Sequence, residues 1–225
     1  RTVRARHILL GTGSKVSVPP IPGLAESGFW TSDDVLDLDY IPKSVIVLGG
    51  GVIGVEFASV WKSFGSEVTI IEALPRLVPA EDESCSKALE RAFRKRKIAF
   101  KTGVRFSGVT QDDNGVVATL EDGSTVSAEL MLVAVGRGPN ASGMGYEEAG
   151  VTMDRGWVLT DKRLRTNVEG VFAVGDIVPG LQLAHRGFAQ GIFVAEEIAG
   201  LNPPAIDELS PAPEKQRRPR KAVQG

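Results

Sequence analysis

The chain has 225 residues, a net charge of −2, 42% apolar and 24% charged residues, and one cysteine. These are the proportions of an ordinary globular protein, and the length suits one large domain or two small ones. The lone Cys85 excludes an internal disulfide framework, a multi-cysteine zinc site and a dithiol redox centre within this chain, and apolar runs such as 45–48 and 130–135 fall far short of the ~18 residues that span a membrane.

In chain order, a strand is expected over 4–10, followed by a connector punctuated by Pro19, Pro20, Pro22 and Gly23. Thr31 or Ser32 can N-cap a short helix over 33–38. The run 44–48 is a buried strand, 52–64 a helix that stops at Gly65, and 67–71 a second strand. A helix is expected over 83–96, with Cys85, Leu89, Ala92 and Phe93 on its apolar face at helical spacing, which makes Cys85 a buried packing residue. A third strand covers 98–101. The period then changes to two. Residues 105–110, 116–120 and 125–128 form an antiparallel meander, turned at Asp113-Asn114-Gly115 and Asp122-Gly123. The run 130–135 is another continuous apolar strand, 156–160 and 170–174 are short strands, and 181–199 is a helix closed by Gly200. This order predicts an α/β fold, a Rossmann-like doubly wound parallel sheet in which a β-meander replaces one crossover helix.

Charge is uneven. Residues 214–225 hold five basic side chains and one acidic one, a local charge of +4. They lie beyond Pro211 and Pro213, with Pro219 among them, and include no aromatic residue to stack on bases, so 201–225 is expected to be a disordered basic Pro-rich tail, not a nucleic-acid arm. The chain starts at Arg1, inside an expected strand and with no signal-like segment, so it reads as a cut chain from a cytoplasmic protein.

The sharpest local pattern is Gly49-Gly50-Gly51-Val52-Ile53-Gly54. It follows a strand and opens a helix, as a dinucleotide-binding turn must. Gly49 permits the tight turn, Gly51 lets backbone approach a pyrophosphate, and Gly54 lets helix and strand meet closely. The diphosphate would sit on the helix N-terminus, whose N–H groups and dipole favour anions. Glu72 ends the second strand, about 20 residues on, where a carboxylate can accept from ribose hydroxyls and repel a 2′-phosphate. With Arg76 four positions further instead of a basic pair, NAD is expected over NADP.

Other segments fall in a recognisable order. Ile8-Leu9-Leu10-Gly11-Thr12-Gly13-Ser14 resembles the A-T-G-S strand end of two-dinucleotide flavoproteins, with Gly11 in place of Ala. Ala134-Val135-Gly136-Arg137-Gly138-Pro139-Asn140 resembles the G-R-x-P-N segment that closes their NAD domain. The run from Thr166 through Gly175-Asp176 resembles their second FAD motif. On these residues the chain resembles the pyridine nucleotide-disulfide oxidoreductases over about 1–200. Leu183-Ala184-His185 makes it most like the dihydrolipoyl dehydrogenases, with Gln190 where Glu is frequent.

The resemblance implies an NAD domain at 43–140, flanked by FAD-domain pieces at 1–42 (with a connector) and 141–200. It implies cofactor contacts from Thr12, Gly13, Ser14, Gly49, Gly50, Gly51, Val52, Ile53, Gly54, Glu72, Phe106 (main chain to adenine), Gly136, Asp176 (to the flavin ribityl chain), Leu183, Ala184 and His185. Glu56 matches a glutamate near the nicotinamide; the alternative is a first-turn acid facing the helix dipole. In the family, electrons pass from dihydrolipoamide through a disulfide and FAD to NAD⁺, in a homodimer that serves a 2-oxo acid dehydrogenase complex. The FAD diphosphate fingerprint, the disulfide motif and the interface domain with its catalytic His have no counterpart in this sequence. The tail stands where that domain would begin, which suggests a frameshift or truncated reading frame after about Ile206. No metal ligand or catalytic residue is assigned. Two readings follow: an enzyme fragment, inactive alone, or an NAD(H)-binding module without turnover. NADH oxidases and transhydrogenases share much of the pattern.

Overall fold

A computed structural model of the chain describes residues 3–113 and 115–206. The tail beyond 206 and the Asn114 position of the first meander turn lie outside the described residues.

By internal packing the chain forms two compact units, one of residues 16–137 and one of residues 1–15 with 138–225. The first elements are β1 (Ile8–Leu10) and β2 (Ser14–Val16), followed by β3 (Trp30–Thr31) and a 3-10 turn at Asp34–Asp37. Next come β4 (Ser44–Leu48), α1 (Val52–Phe64), β5 (Glu67–Glu72), α2 (Glu83–Lys95) and β6 (Ala99–Thr102). The meander is β7 (Phe106–Asp112), β8 (Gly115–Leu120) and β9 (Thr125–Ala128), and β10 (Leu130–Val133) follows it directly. The remaining elements are β11 (Arg137–Pro139), β12 (Met153–Asp154), β13 (Trp157–Val158), β14 (Val171–Ala173), a 3-10 turn at Gly175–Ile177, and α3 (Ala184–Ile198).

The unit 16–137 is built on a five-stranded sheet in the order β3-β10-β4-β5-β6. Every pair in it is parallel, with Val45 opposite Val68 and Leu130 opposite Val45. Its central strands are apolar at successive residues because both faces are covered. Val45, Val47, Val68, Ile70, Leu130 and Leu132 pack with Ala58 and Trp61 of α1 and Phe93 of α2. The alternate residues Ile46, Leu48, Ile71, Met131 and Val133 pack under the meander, against Val109, Val116, Ala118 and Leu120. The expected sheet, with its meander in place of a helix, is therefore the observed one.

The connector at 16–42 packs in this same unit. Leu24 is fully buried beneath the meander, and β3 extends the sheet beside β10. Compact packing thus divides the chain elsewhere than at 42/43 and 140/141. In the other unit, β1 pairs with β14 and β12 with β13. Ala141, Val158, Ala173 and Ile177 form one cluster there, and Phe172, Val174, Phe193 and Val194 form another against α3.

Three expectations are corrected. The helix over 33–38 is a 3-10 turn, and Thr31 serves it reciprocally: its Oγ1 accepts from the Asp33 and Asp34 N–H groups while the Asp34 carboxylate accepts from its N–H and hydroxyl. Cys85 is exposed. The buried residues of α2 are Ser86 and Phe93, one step round the helix, because Ser86 bonds inward to the loop before α2. The strand over 4–10 shortens to β1, since β14 offers only three paired positions.

Candidate nucleotide site

The turn at 49–51 lies at the carboxyl end of β4, where the connections diverge: α1 leads to β5 on one side, while β10 lies on the other. Such a switch point opens a crevice at a sheet's carboxyl edge. The glycines there have separable reasons. Gly49 holds a φ of 107°, donates its N–H to the Ile71 carbonyl at 2.9 Å, and lies where a side chain would collide with the Ala134 carbonyl. Gly54 lies where a methyl would strike the Gly49 carbonyl oxygen and sit 3.2 Å from a Val47 methyl.

Gly51 has neither reason. Its φ is −72°, accessible to any residue, and a Cβ there would meet nothing within 4 Å. What its missing side chain leaves is open space at the N-terminus of α1. That terminus has no side-chain cap and no acid in its first turn, and Val55 N–H to Gly51 carbonyl opens the helical bonding at 3.0 Å. Unclaimed N–H groups at the positive end of a thirteen-residue helix, reached through a glycine, fit a diphosphate. Val52 is exposed and Ile53 half-buried at the same end.

Glu72, the last residue of β5, is only 8% exposed. Its Oε2 accepts from the Gly50 N–H at 2.6 Å and its Oε1 from the Leu74 N–H at 2.7 Å. A carboxylate offers about four acceptor positions, so these bonds orient it and leave room for ribose hydroxyls. The Gly50 N–H is therefore spent on Glu72. Gly136, at a φ of 124° with open space beside it, follows the Ala134–Val135 segment that walls the turn. Ala134 N–H is bonded to Leu48 carbonyl at 2.7 Å.

Glu56 is exposed and lies beyond the first turn of α1, so the helix-dipole alternative falls. The Phe106 ring is in the core under the meander, and its backbone pairs opposite Leu120. Val104, two residues earlier, donates to the Glu72 carbonyl at 3.2 Å and so joins the meander's start to the acid's strand.

The unit of 1–15 and 138–225 gathers a second set. Ser14 hydroxyl donates to the Asp176 carboxylate at 2.8 Å, and Thr12 hydroxyl to the Asn140 carbonyl at 2.6 Å. Asn140 N–H returns a bond to the Gly13 carbonyl at 2.8 Å, with Gly13 at a φ of 73° and open space at its Cα. Segments more than 120 residues apart are thus stitched into one cluster. Asp176 sits in the 3-10 turn that α3 holds: the fully buried Gln190 accepts from the Gly175 N–H at 2.7 Å, and Arg186 donates to the Pro179 carbonyl at 2.6 Å. Leu183 is the N-cap of α3 without a side-chain cap bond, and Ala184 and His185 open the helix, all three exposed. Among the described residues, no group of three or more His, Cys, Asp or Glu side chains is placed to hold a metal, and no helix is long and apolar enough to cross a membrane.

Sequence reading missed the segment 74–81, which buttresses the turn through Val78 N–H to Gly50 carbonyl at 2.7 Å. A serine on the inward side of an amphipathic helix, Ser86, was the available signal.

The family model for pyridine nucleotide-disulphide oxidoreductases matches residues 1–191. The chain belongs to this family. It is 41% identical over 214 residues to a dihydrolipoyl dehydrogenase of Chlorobaculum tepidum, covering 92% of this chain and 45% of that protein. The Bacillus subtilis dihydrolipoyl dehydrogenase is 39% identical over 210 residues, covering 90% and 44%. Among solved structures, the HOCl-induced flavoprotein disulfide reductase RclA of Escherichia coli superposes with a TM-score of 0.84 at 32% identity, covering 88% of this chain and 46% of that one. The chain spans about half the length of the curated relatives it matches.

Proposed function

We propose that this chain carries the NAD-binding part, and a portion of the FAD-binding part, of a flavoprotein oxidoreductase of dihydrolipoyl dehydrogenase type. The open space at Gly51, between an uncapped helix N-terminus and the Glu72 carboxylate, is the observation that carries the reading. In it the N-terminus of α1 holds a diphosphate and Glu72 accepts from the adenosine ribose. A 2′-phosphate would meet the Glu72 charge. Arg76 is no substitute partner, because its guanidinium already donates to the Pro79 and Glu81 carbonyls and to Ser86 Oγ. NAD is therefore the preferred cofactor.

In the other unit, Thr12, Gly13, Ser14, Asp176 and the 183–185 segment fit the ribityl and ring side of a flavin, with Asp176 oriented by Ser14. Bound together, the two cofactors supply hydride and electron transfer that no amino-acid side chain supplies. The chain's own residues bind and orient. Its single thiol, Cys85, is exposed on α2, so a thiol–disulfide exchange has no pair within this chain. Alone, the chain binds NAD(H) without oxidising dihydrolipoamide. A homodimer and a 2-oxo acid dehydrogenase complex are the assembly in which the complete activity belongs.

The test uses the purified chain. NADH titration gives saturable binding, and NADH-dependent dye reduction appears only in proportion to yellow bound flavin. Absence of NADH binding would refute the reading; turnover of dihydrolipoamide by the chain alone would refute the division of labour.

A further inference from the structure

We propose that Arg76 is a positioning residue for the glycine turn, an inference that rests on reading the crevice as a nucleotide site. Its guanidinium reaches three acceptors around one loop: the Pro79 carbonyl at 2.8 Å, the Glu81 carbonyl at 2.8 Å and Ser86 Oγ at 2.6 Å. Ser86, buried on α2, donates its own hydroxyl hydrogen bond to the Leu77 carbonyl at 2.7 Å. Leu77 is fully buried, and its Cδ2 lies 2.6 Å from where a Gly50 Cβ would stand.

The next residue, Val78, sits at a φ of 42°. A β-branched residue resists that left-handed conformation and keeps it only when its surroundings enforce it. Enforcement here comes from both sides, through Ser86 on Leu77 and Arg76 on Pro79. The product is one bond: Val78 N–H to the Gly50 carbonyl at 2.7 Å. With Glu72 on its N–H, Gly50 is held by both of its backbone groups. The turn that presents Gly51 is thus set before any ligand arrives, which removes an ordering cost from binding.

A direct role for Arg76 on a ligand phosphate and this indirect role predict different things. Under the positioning role, Arg76→Met weakens NADH and NADPH by the same factor, about tenfold, the weight of one or two lost polar bonds. Arg76→Lys, which can reach fewer of the acceptors, recovers part of the loss. Ser86→Ala, a milder change, weakens both nucleotides less and in the same ratio. Hydrogen exchange of residues 47–55, measured without ligand, speeds up in Arg76→Met.

Unchanged NADH affinity in Arg76→Met, a shift in the NADH-to-NADPH preference, or unaltered exchange over 47–55 would each overturn the proposal. If the unmodified chain binds no nucleotide, the functional reading fails, while the exchange measurement still decides whether Arg76 holds the turn. If Arg76→Met does not fold, Ser86→Ala decides by the same readouts.

Discussion

Glu72 shows why a site residue is rarely only a ligand. Its oxygens accept from Gly50 and Leu74, so the side chain proposed to meet a ribose also ties the glycine turn to the loop after β5. Glu72→Gln keeps the shape but sets an NH₂ group against the buried Gly50 N–H or the part-buried Leu74 N–H, at a cost of about 1–3 kcal/mol. NADH affinity is expected to fall about tenfold, and the loss should persist with a dinucleotide lacking the adenosine ribose hydroxyls. Titrating both ligands against both proteins checks this; a loss confined to the hydroxyl-bearing ligand would show that Glu72 touches ribose alone. The glycine pattern was legible because Gly49 and Gly54 answer geometric demands that the motif encodes. The hold on Gly50 was not, since Val78 at positive φ violates the local preference by which sequences are read.

At the scale of elements, strand and helix identity followed period, and errors followed from its weakness. The strands β4 and β10 were legible as apolar runs and β5 as a short β-branched run, while in β8 it is burial, more than sequence, that alternates. β3 and β12, at two residues each, have no period to detect. The face of α2 was misread by one residue because Cys85 outranks Ser86 in hydrophobicity, while a hydroxyl with two partners can be buried at no penalty.

Near the end of α3, Glu197 takes a forked bond from Arg163 and a further one from Arg165. These guanidinium bonds, Arg163 foremost, hold its carboxyl at about 2, far below the ordinary value of 4.5. A group whose folded value is depressed adds stability above its unfolded value and loses it as the pH falls through the folded one. The clamp is therefore complete above about 4.5 and gone below about 2. Glu197→Gln should unfold more easily than the unmodified chain at pH 7, and the difference should shrink to nothing across that window. Denaturant melts at a series of pH values measure it; a difference at pH 2 as large as at pH 7 would contradict the clamp.

For the whole molecule, the sequence order of strand, helix, meander and strand was enough to define β4, β5, β6 and β10 of the sheet and place the turn at its switch point. Packing added that 16–42 belongs with the sheet unit, which no motif signals, because Leu24 and Trp30 are apolar residues in a connector like many others. The single cysteine bounded the chemistry from the outset: the chain belongs to a family whose name includes a disulphide, with only one thiol of its own.

The space left by Gly51 is proposed to admit a dinucleotide, and a paired substitution tests this most directly. Gly54→Ala should cost about 1–3 kcal/mol of stability through the clash with the Gly49 carbonyl. Gly51→Ala meets no protein atom, and as an N-cap change on α1 it should cost no more than about 1 kcal/mol. NADH titration of Gly51→Ala beside the unmodified chain is the decisive measurement. Tight binding to the unmodified chain and at least a tenfold loss in Gly51→Ala, measured where both are fully folded, is the predicted result; equal affinity in the two would contradict it.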